Sequence, residues 1–487
     1  MLHDTIAAIA TPLGEGGLAV VRISGPQAFA IADKCFSPVG KSSHKPSAAP
    51  THTIQFGKIV RHIPDAPAPR GLDETADETR RQGCRRSQEE VIDEVLLAVL
   101  RAPRTFTRED TVEISCHGGL LPAKLVLDAL LANGARMAGP GEFTKRAFLN
   151  GRIDLAQAEA VADLIHSRTE LALAAANEQL AGKLSQRINR LRDDLMHTLA
   201  HVEAHIDFPD EDIAPDTKEK LLQRLEHGIA FMDELLGTAN EGQILRRGIR
   251  AAIVGRPNAG KSSLLNQLLG RDRAIVSHIP GTTRDTIEET ANIRGLPVVF
   301  IDTAGLRESH DEVEREGVRR SRASLAQAEL ILHVLDASEP LTGADQDYLA
   351  EFADKKRILV RNKTDLPVKL ELPAESQIPD LKSQIVDVSC LSGQGIEVLK
   401  DAIKRLIWSG EINAEMLQVA INSRHQDALA RARAATRRAA EALAAAATLE
   451  LVALDLRIAA NAVGEIVGKT TTEDLLDSIF STFCIGK

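Results

Sequence analysis

Residues Gly255 to Ser263 read G-R-P-N-A-G-K-S-S, a loop of the form G-x-x-x-x-G-K-[ST] suited to binding phosphate. Successive backbone N–H groups and a helix N-terminus then point at the anion. Gly255 and Gly260 allow the tight path, Lys261 reaches the β- and γ-phosphates, and the Ser262 hydroxyl can hold Mg2+. Ala259 and Ser263 complete the candidate contacts within the loop. Four later segments narrow the ligand to GTP. In Leu296 to Gly305 (L-P-V-V-F-I-D-T-A-G) a strand runs into Asp302, a second magnesium-side carboxylate. Thr303 and Ala304 follow it, and Gly305 can give its N–H to a γ-phosphate. Arg357 to Asp365 reads R-I-L-V-R-N-K-T-D. Asp365 can accept two hydrogen bonds from a guanine edge, a donor pair adenine lacks, while Asn362 and Lys363 brace the loop and cover the base. Gly281 to Asp285 (G-T-T-R-D) places Thr283 to bind Mg2+ and sense the γ-phosphate, in a segment expected to order with GTP. Ser389-Cys390-Leu391 fits a last base-contacting loop.

Two positions depart from the usual pattern of a Ras-like switch. There, the residue after D-x-x-G is a glutamine that orients the attacking water, and here it is Leu306. Hydrolysis is then slow until a partner helps, or another group in the chain takes the role. Glu308, Glu312, Glu314 and Glu316 of the following R-E-S-H-D-E-V-E-R-E stretch are candidates, against the plainer reading of a solvated acidic helix start. The second position is Asn258. Its amide can coordinate a monovalent cation beside the phosphates, or can make an Asx-type turn.

These residues need elements to hold them. The apolar run Ile249 to Val254 reads as a strand feeding the loop, and Leu264, Leu265, Leu268 and Leu269 recur at helical spacing after it. The chain of 487 residues is too long for one core, so roughly two to four domains are expected. It is 44% hydrophobic and 26% charged, with a formal net charge of −10 and 3% aromatics. Any nucleic-acid contact therefore uses a local basic patch rather than global charge or a base-stacking platform. The five cysteines, Cys35, Cys84, Cys116, Cys390 and Cys484, are scattered without a C-x-x-C pair, which favours reduced cytosolic thiols over a zinc site. No secretory signal and no apolar run of about 18 residues is seen, so a cytoplasmic protein without a membrane span is expected.

Four regions follow along the chain: 1–150, 151–247, 248–410 and 411–487. The first carries strand-like runs at Ile6–Ala10, Leu18–Ile23, Thr53–Val60, Val91–Leu100 and Thr111–Ser115, then a helix at Leu120–Leu131. Ser37–Pro50 reads as a loop, and Pro64–Glu90 as a mixed-charge, disordered insertion. The second region is helical from Leu155 to Leu236, broken once by Pro209 and Pro215. The fourth is helical again. Helix on both sides of the nucleotide domain predicts one discontinuous helical domain with the nucleotide domain inserted, giving a multidomain α/β plus α chain with an α+β N-terminal part. Trp408 reads as packing, and Arg431, Arg433, Arg437 and Arg438 as a solvated basic helix face, with tRNA contact the weaker reading.

The chain ends Phe483-Cys-Ile-Gly-Lys487. Prenylation fits poorly with Gly486 and a final lysine. A single cysteine is most often a buried thiol, but a short glycine-containing tail can also place Cys484 in an exposed cleft.

Several segments together carry a resemblance. The tail F-C-I-G-K, the segment Pro140–Phe148 (P-G-E-F-T-K-R-A-F) and Asp154–Glu159 (D-L-A-Q-A-E) resemble the MnmE/TrmE family of tRNA-modification GTPases. So do Thr11-Pro12, Val21–Gly25, Phe106–Asp110 with His117–Gly119, and the nucleotide motifs above. The resemblance spans the chain, with two departures: Pro64–Glu90 is longer and more polar than the family needs, and the S-A-K-like loop is Ser-Cys-Leu here. It implies an N-terminal tetrahydrofolate-binding and dimerising domain over 1–150, a helical domain from 151–247 and 411–487, and an inserted Ras-like P-loop GTPase domain over 248–410. It implies a homodimer working with the flavoprotein MnmG (GidA) to add an aminomethyl or carboxymethylaminomethyl group to the wobble uridine of certain tRNAs. The one-carbon unit would come from 5-formyl- or methylene-tetrahydrofolate, contacted by Arg22, Glu109, Arg152 and Lys487. Cys484 would be the family's functionally important thiol. Activation by K+ would make Asn258 a potassium ligand, helped by groups around Ser277, Ile279 and Thr282. Glu314 would position the attacking water and Arg307 would act as a switch residue. A ribosome-assembly GTPase of the Era or Der kind is the main alternative; against it stand a single nucleotide domain and the lack of a basic K-homology-like tail. A plain signalling switch is disfavoured by Leu306 and the cysteine tail. Tight binding of reduced folate separates both from the first reading.

Overall fold

The computed structural model describes residues 4–40, 44–62, 89–207, 218–270, 288–301, 326–352, 354–372, 383–408, 417–418, 420–445 and 447–487. Two compact units emerge, one of Met1–Asp154 with Thr471–Lys487, the other of Leu155–Thr470. The tail thus groups with the N-terminal region rather than with the helices that precede it.

The first unit is built on seven strands: β1 (Ile6–Ile9), β2 (Leu18–Ser24), β3 (Phe36–Pro38), β4 (Thr53–His62), β5 (Glu89–Leu100), β6 (Thr111–His117) and β7 (Arg136–Met137). Their order in the sheet is β3-β4-β5-β6-β2-β1-β7, antiparallel except for the β1–β7 edge. One face is apolar at every second residue, as the period of a strand requires. Val21, Ile23, Leu97, Val99, Val112 and Ile114 pack there under helices Ala28–Cys35 and Leu120–Ala132. The tail helix Glu473–Phe480 lies against Glu142–Leu149 and is pinned by Lys145 Nζ to Asp477, 2.6 Å apart.

The second unit holds two cores. In the helical one, Leu191, Leu195, Leu225 and Met232 from one side of the nucleotide domain interlock with Leu429, Ala432, Val452 and Val463 from the other. Both halves of the discontinuous helical domain are therefore needed to bury either. The helical stretch after Leu155 is interrupted more often than its two prolines suggest. Helices run Leu155–His166, Glu170–Leu180, Lys183–Asp207 and Lys218–Gly237. Thr169 caps the second by accepting from the Ala172 amide, and Gly182, at φ 80°, separates the second from the third.

The other core surrounds a six-stranded sheet of β8 (Ile249–Val254), β9 (Glu289–Ile293), β10 (Leu296–Phe300), β11 (Leu330–Asp336), β12 (Lys356–Asn362) and β13 (Ser383–Asp387), ordered β13-β12-β11-β8-β10-β9. All pairs are parallel except β9–β10. Central strands buried on both faces read as continuous apolar runs, and all seven residues of β11 are buried. The chain turns from one side of the sheet to the other at β8, flanked by β10 and β11. Ligands of such sheets sit beyond the carboxyl ends of the strands at that switch point.

Candidate functional site

β8 delivers the chain to Gly255 at the switch point. Gly255 sits at φ 142° with the Val334 carbonyl where a Cβ would lie, and Gly260 at φ 98° with Asn362 Nδ2 in the same relation. Both glycines are steric requirements, and their bare backbone leaves a cradle that fits phosphate. Asn258 is left-handed at φ 62°, a conformation that asparagine accepts better than most residues. Lys261 opens the helix Lys261–Leu269, whose buried residues are Leu264, Leu265, Leu268 and Leu269. Its Nζ donates to the Gly255 and Arg256 carbonyls, each at 2.9 Å, so the ammonium arches over the loop. Burial lowers its pKa from the ordinary lysine value. Ser262 and Ser263 stand in the first turn of the same helix.

The carboxyl ends of β12 and β13 build the second half of the site. Asn362, 2% exposed, donates from Nδ2 to the Ala259 carbonyl at 2.9 Å and accepts the Cys390 amide on Oδ1 at 3.1 Å. One side chain thereby ties the phosphate loop to the base loop. Lys363 is left-handed at φ 66° and its Nζ reaches Asp336 Oδ2 at 2.6 Å. Asp365 is exposed rather than buried, and Ser389 Oγ donates to its Oδ1 at 2.6 Å. Ser389 is fully buried, so this bond orients the carboxylate. Leu391 is 88% exposed beside it. Burial and the nearby Asp365 push the Cys390 thiol up to about 11, so its contribution is packing and backbone.

Ser277, Ile279, Thr282, Thr283, Asp302, Thr303, Ala304, Gly305, Arg307 and Glu314 lie outside the described residues, as does Cys84. Asp336, which receives the Lys363 ammonium, carries no motif of its own, although it ends an apolar run level with Asn362, its register partner. That position at a strand end was the available signal.

In the first unit, Arg22, Glu109, Arg152 and the tail gather around a small apolar cluster of Ile6, Ala8, Ala138 and Phe143 with Phe106 against it. Arg22 stacks over the Phe143 ring at 5.5 Å and pairs with Glu113 at 2.7 Å. Arg152 stacks over Phe106 at 4.9 Å and donates to the Thr105 carbonyl at 3.1 Å; burial, then Arg108, lowers its pKa. Glu109 accepts from Ser24 Oγ at 2.9 Å and from the fully buried Arg146 at 3.2 Å. The Lys487 carbonyl accepts the Phe143 amide at 3.1 Å, and Ile485 bridges Pro140. Gly486, at φ 95°, leaves no room for a Cβ against the Ile9 carbonyl. This seating leaves Cys484 exposed, whereas Cys35, Cys116 and Cys390 are buried. The choice between a buried thiol and an exposed one is thus decided for exposure. Trp408 is buried in the nucleotide-domain core. The arginines of helix Ser423–Ala444 face acids: Arg431 pairs with Glu465, Arg433 and Arg437 with Asp233, and Arg438 with Asp455.

The strand order, the glycine cradle at the switch point and the oriented carboxylate after Asn362-Lys363 define a P-loop nucleotide-binding protein of the GTPase class. Sequence comparison is narrower. Residues 5–152 match the family described as "GTP-binding protein TrmE N-terminus", and residues 155–484 the "MnmE helical domain". A "tRNA modification GTPase MnmE" of Geobacillus kaustophilus is 47% identical over 486 residues, 99% of each chain. The protein of that name from Chloroflexus aurantiacus is 48% identical over 488 residues, the whole of both chains. The chain belongs to the MnmE/TrmE family of tRNA modification GTPases. Among solved structures, the G domain of the T. maritima FeoB iron transporter matches 33% of this chain and 99% of its own, at 24% identity and a TM-score of 0.24.

Proposed function

We infer that the chain hydrolyses GTP and that this hydrolysis serves tRNA modification. Asn362 supports this reading most directly, because it bonds both the phosphate loop and the base loop and so ties the loop that holds Gly260 and Lys261 to the one that holds Ser389 and its partner Asp365. Mg2+ would be held by Ser262 and, in the motif reading, by Thr283 and the carboxylate of Asp302. When bound it supplies positive charge across the β- and γ-phosphate oxygens. Lys261 adds its own charge there. Gly255 and Gly260 keep the loop's amides aimed inward.

In the finer reading, the enzyme is activated by K+ at a dimer interface of the nucleotide domains, with Asn258 as a potassium ligand beside Ser277, Ile279 and Thr282. Positive charge at that point would offset what develops between the phosphates. Glu314 takes the water-positioning role that Leu306 cannot, and Arg307 acts in the switch. The seated tail, with Arg22, Glu109, Arg152 and Lys487 around Phe143, is proposed to receive a tetrahydrofolate derivative: cations suit its glutamate carboxylates, and a carboxylate suits its pterin N–H donors. With MnmG as flavoprotein partner, the product is an aminomethyl or carboxymethylaminomethyl group on the wobble uridine. GTP hydrolysis is then a conformational clock coupled to a distant chemical site. Cytoplasmic placement follows from the tRNA substrate. Among the described residues, no helix is long and apolar enough to cross a membrane.

The test is nucleoside mass spectrometry of tRNA from a strain lacking the gene, with and without the gene restored. Restoration of the modified wobble uridine by the natural chain, and not by Asp365→Asn or Cys484→Ser, is the expected result. Unchanged tRNA in the deletion strain overturns the reading in favour of an assembly GTPase.

A further inference from the structure

Asp336 closes β11 and pairs in register with Asn362 of β12, so it stands at the carboxyl end of an interior strand beside the residue that precedes Lys363. It is 5% exposed. Its Oδ2 accepts the Lys363 ammonium at 2.6 Å, and its Oδ1 accepts the Ser338 amide at 2.9 Å and the Ser338 hydroxyl at 2.6 Å. The carboxylate is therefore itself fixed. Lys363 is fixed at its other end, because its backbone is left-handed and its carbonyl accepts the Leu366 amide at 3.0 Å. A lysine left free samples many rotamers, and ordering it on ligand binding costs entropy. Here the four-carbon stem is held at both ends before any ligand arrives, which removes that cost. The stem runs from the strand end that carries Asn362 toward β11, with Asp365 two residues on.

We propose that Asp336 is a positioning residue for guanine-nucleotide binding, holding the Lys363 stem in place as one wall for the purine that Asp365 receives. The proposal rests on the reading of Asp365 as the guanine acceptor. It differs from a plain strand-end ion pair in one respect: the benefit of Asp336 passes through Lys363 to the ligand. The neighbouring pair Arg361–Asp387, bidentate at 2.5 and 2.7 Å across β12 and β13, offers a comparison, since it is half exposed and its side-chain bonds involve neither Lys363 nor Asp365.

The experiment titrates the full chain with the fluorescent N-methylanthraniloyl derivative of GDP. Asp336→Asn is expected to weaken binding about tenfold, while the single-turnover hydrolysis rate at saturating GTP changes by less than about twofold. Lys363→Met keeps the stem and loses the tether. In a double-mutant cycle the combined variant is expected to fall within about twofold of Lys363→Met alone. Asp387→Asn is expected to bind as the natural chain does. Should Asp336→Asn fold poorly, Ser338→Ala, which loosens the seat of the carboxylate without burying an unpaired charge, is expected to weaken binding about threefold. Wild-type affinity in Asp336→Asn or, failing that variant, in Ser338→Ala overturns the proposal, and so does a full loss that multiplies with Lys363→Met. Asp365→Asn, which should shift preference from guanosine to xanthosine diphosphate, separates the two levels. If that shift is absent, the nucleotide reading fails; if it is present and Asp336→Asn is silent, only this inference fails.

Discussion

Asn362 Nδ2 donates to the Ala259 carbonyl at 2.9 Å, across 103 residues of sequence. The bond is buried, and the same side chain satisfies the Cys390 amide at 3.1 Å. Truncation in Asn362→Ala leaves a buried acceptor and a buried donor without partners, at about 1–3 kcal/mol for each unsatisfied group. Nucleotide affinity is expected to fall by more than about tenfold, with the nucleotide domain less stable by denaturant titration. Full affinity in this variant would show that the two loops are held independently.

Gly260 gives a sharper steric case. At φ 98°, with Asn362 Nδ2 in the place of a Cβ, it accepts no side chain without moving Asn362. Gly260→Ala is expected to abolish GDP binding by isothermal titration. Gly343→Ala, where a Cβ would meet nothing within 4 Å, is the matched control and is expected to bind normally. Equal behaviour of the two would remove the steric argument.

Of the candidate nucleotide site, the described phosphate loop is legible in the sequence because its parts are local. A strand, a glycine loop and a helix with Leu264, Leu265, Leu268 and Leu269 on one side are encoded within a short stretch, and their apolar spacing carries the signal. What was not legible is what joins distant segments. Nothing near Val334 or Asp336 announces that one blocks the Cβ of Gly255 and the other receives Lys363. The short strands β3 and β7, of three and two residues, are too brief to show any period. The helix Ala28–Cys35 was missed because its apolar residues follow Ser-Gly-Pro-Gln, which reads as a turn. The seating of the tail depends on Gly486 against Ile9 and on Pro140 against Ile485, contacts that no periodicity reports.

In the helical core, Glu159 accepts Arg424 at 2.9 and 2.8 Å and the buried His425 at 2.8 Å. Burial works against its charge, but the partners outweigh this and hold the carboxyl far below its usual range. Glu159→Ala takes the carboxylate from the part-buried Arg424 and the fully buried His425 and is expected to cost about 3–5 kcal/mol. Asp427→Ala breaks the exposed Arg431–Asp427 pair and is expected to cost less than about 1 kcal/mol. Calorimetric melting of both variants checks the ranking, and similar losses would contradict it.

Acid should unfold this chain in a defined window. Burial depresses His333 from 6.5 to about 4, with Asp345 opposing and Arg357 reinforcing the shift, and both its ring nitrogens lack a partner. Burial likewise depresses His425 from 6.5 to about 4 despite Glu159 beside it. Each ring is neutral when folded and takes a proton on unfolding, so the contribution is present above pH 6.5 and is lost as pH falls toward 4. The slope is up to about 1.4 kcal/mol per pH unit for each histidine. His333→Leu is expected to flatten the pH dependence of the nucleotide domain's melting and to raise its stability at acid pH. An unchanged slope would show that His333 does not titrate between the two states.

A cation at Asn258 is proposed to complete the GTPase site. GTP hydrolysis by the purified chain in potassium and in sodium buffer, with Asn258→Ala alongside, tests it most directly. Strong stimulation by potassium that disappears in Asn258→Ala is the predicted result. Equal slow rates in both salts, unaffected by the substitution, would contradict the claim and leave a switch that needs an external activator.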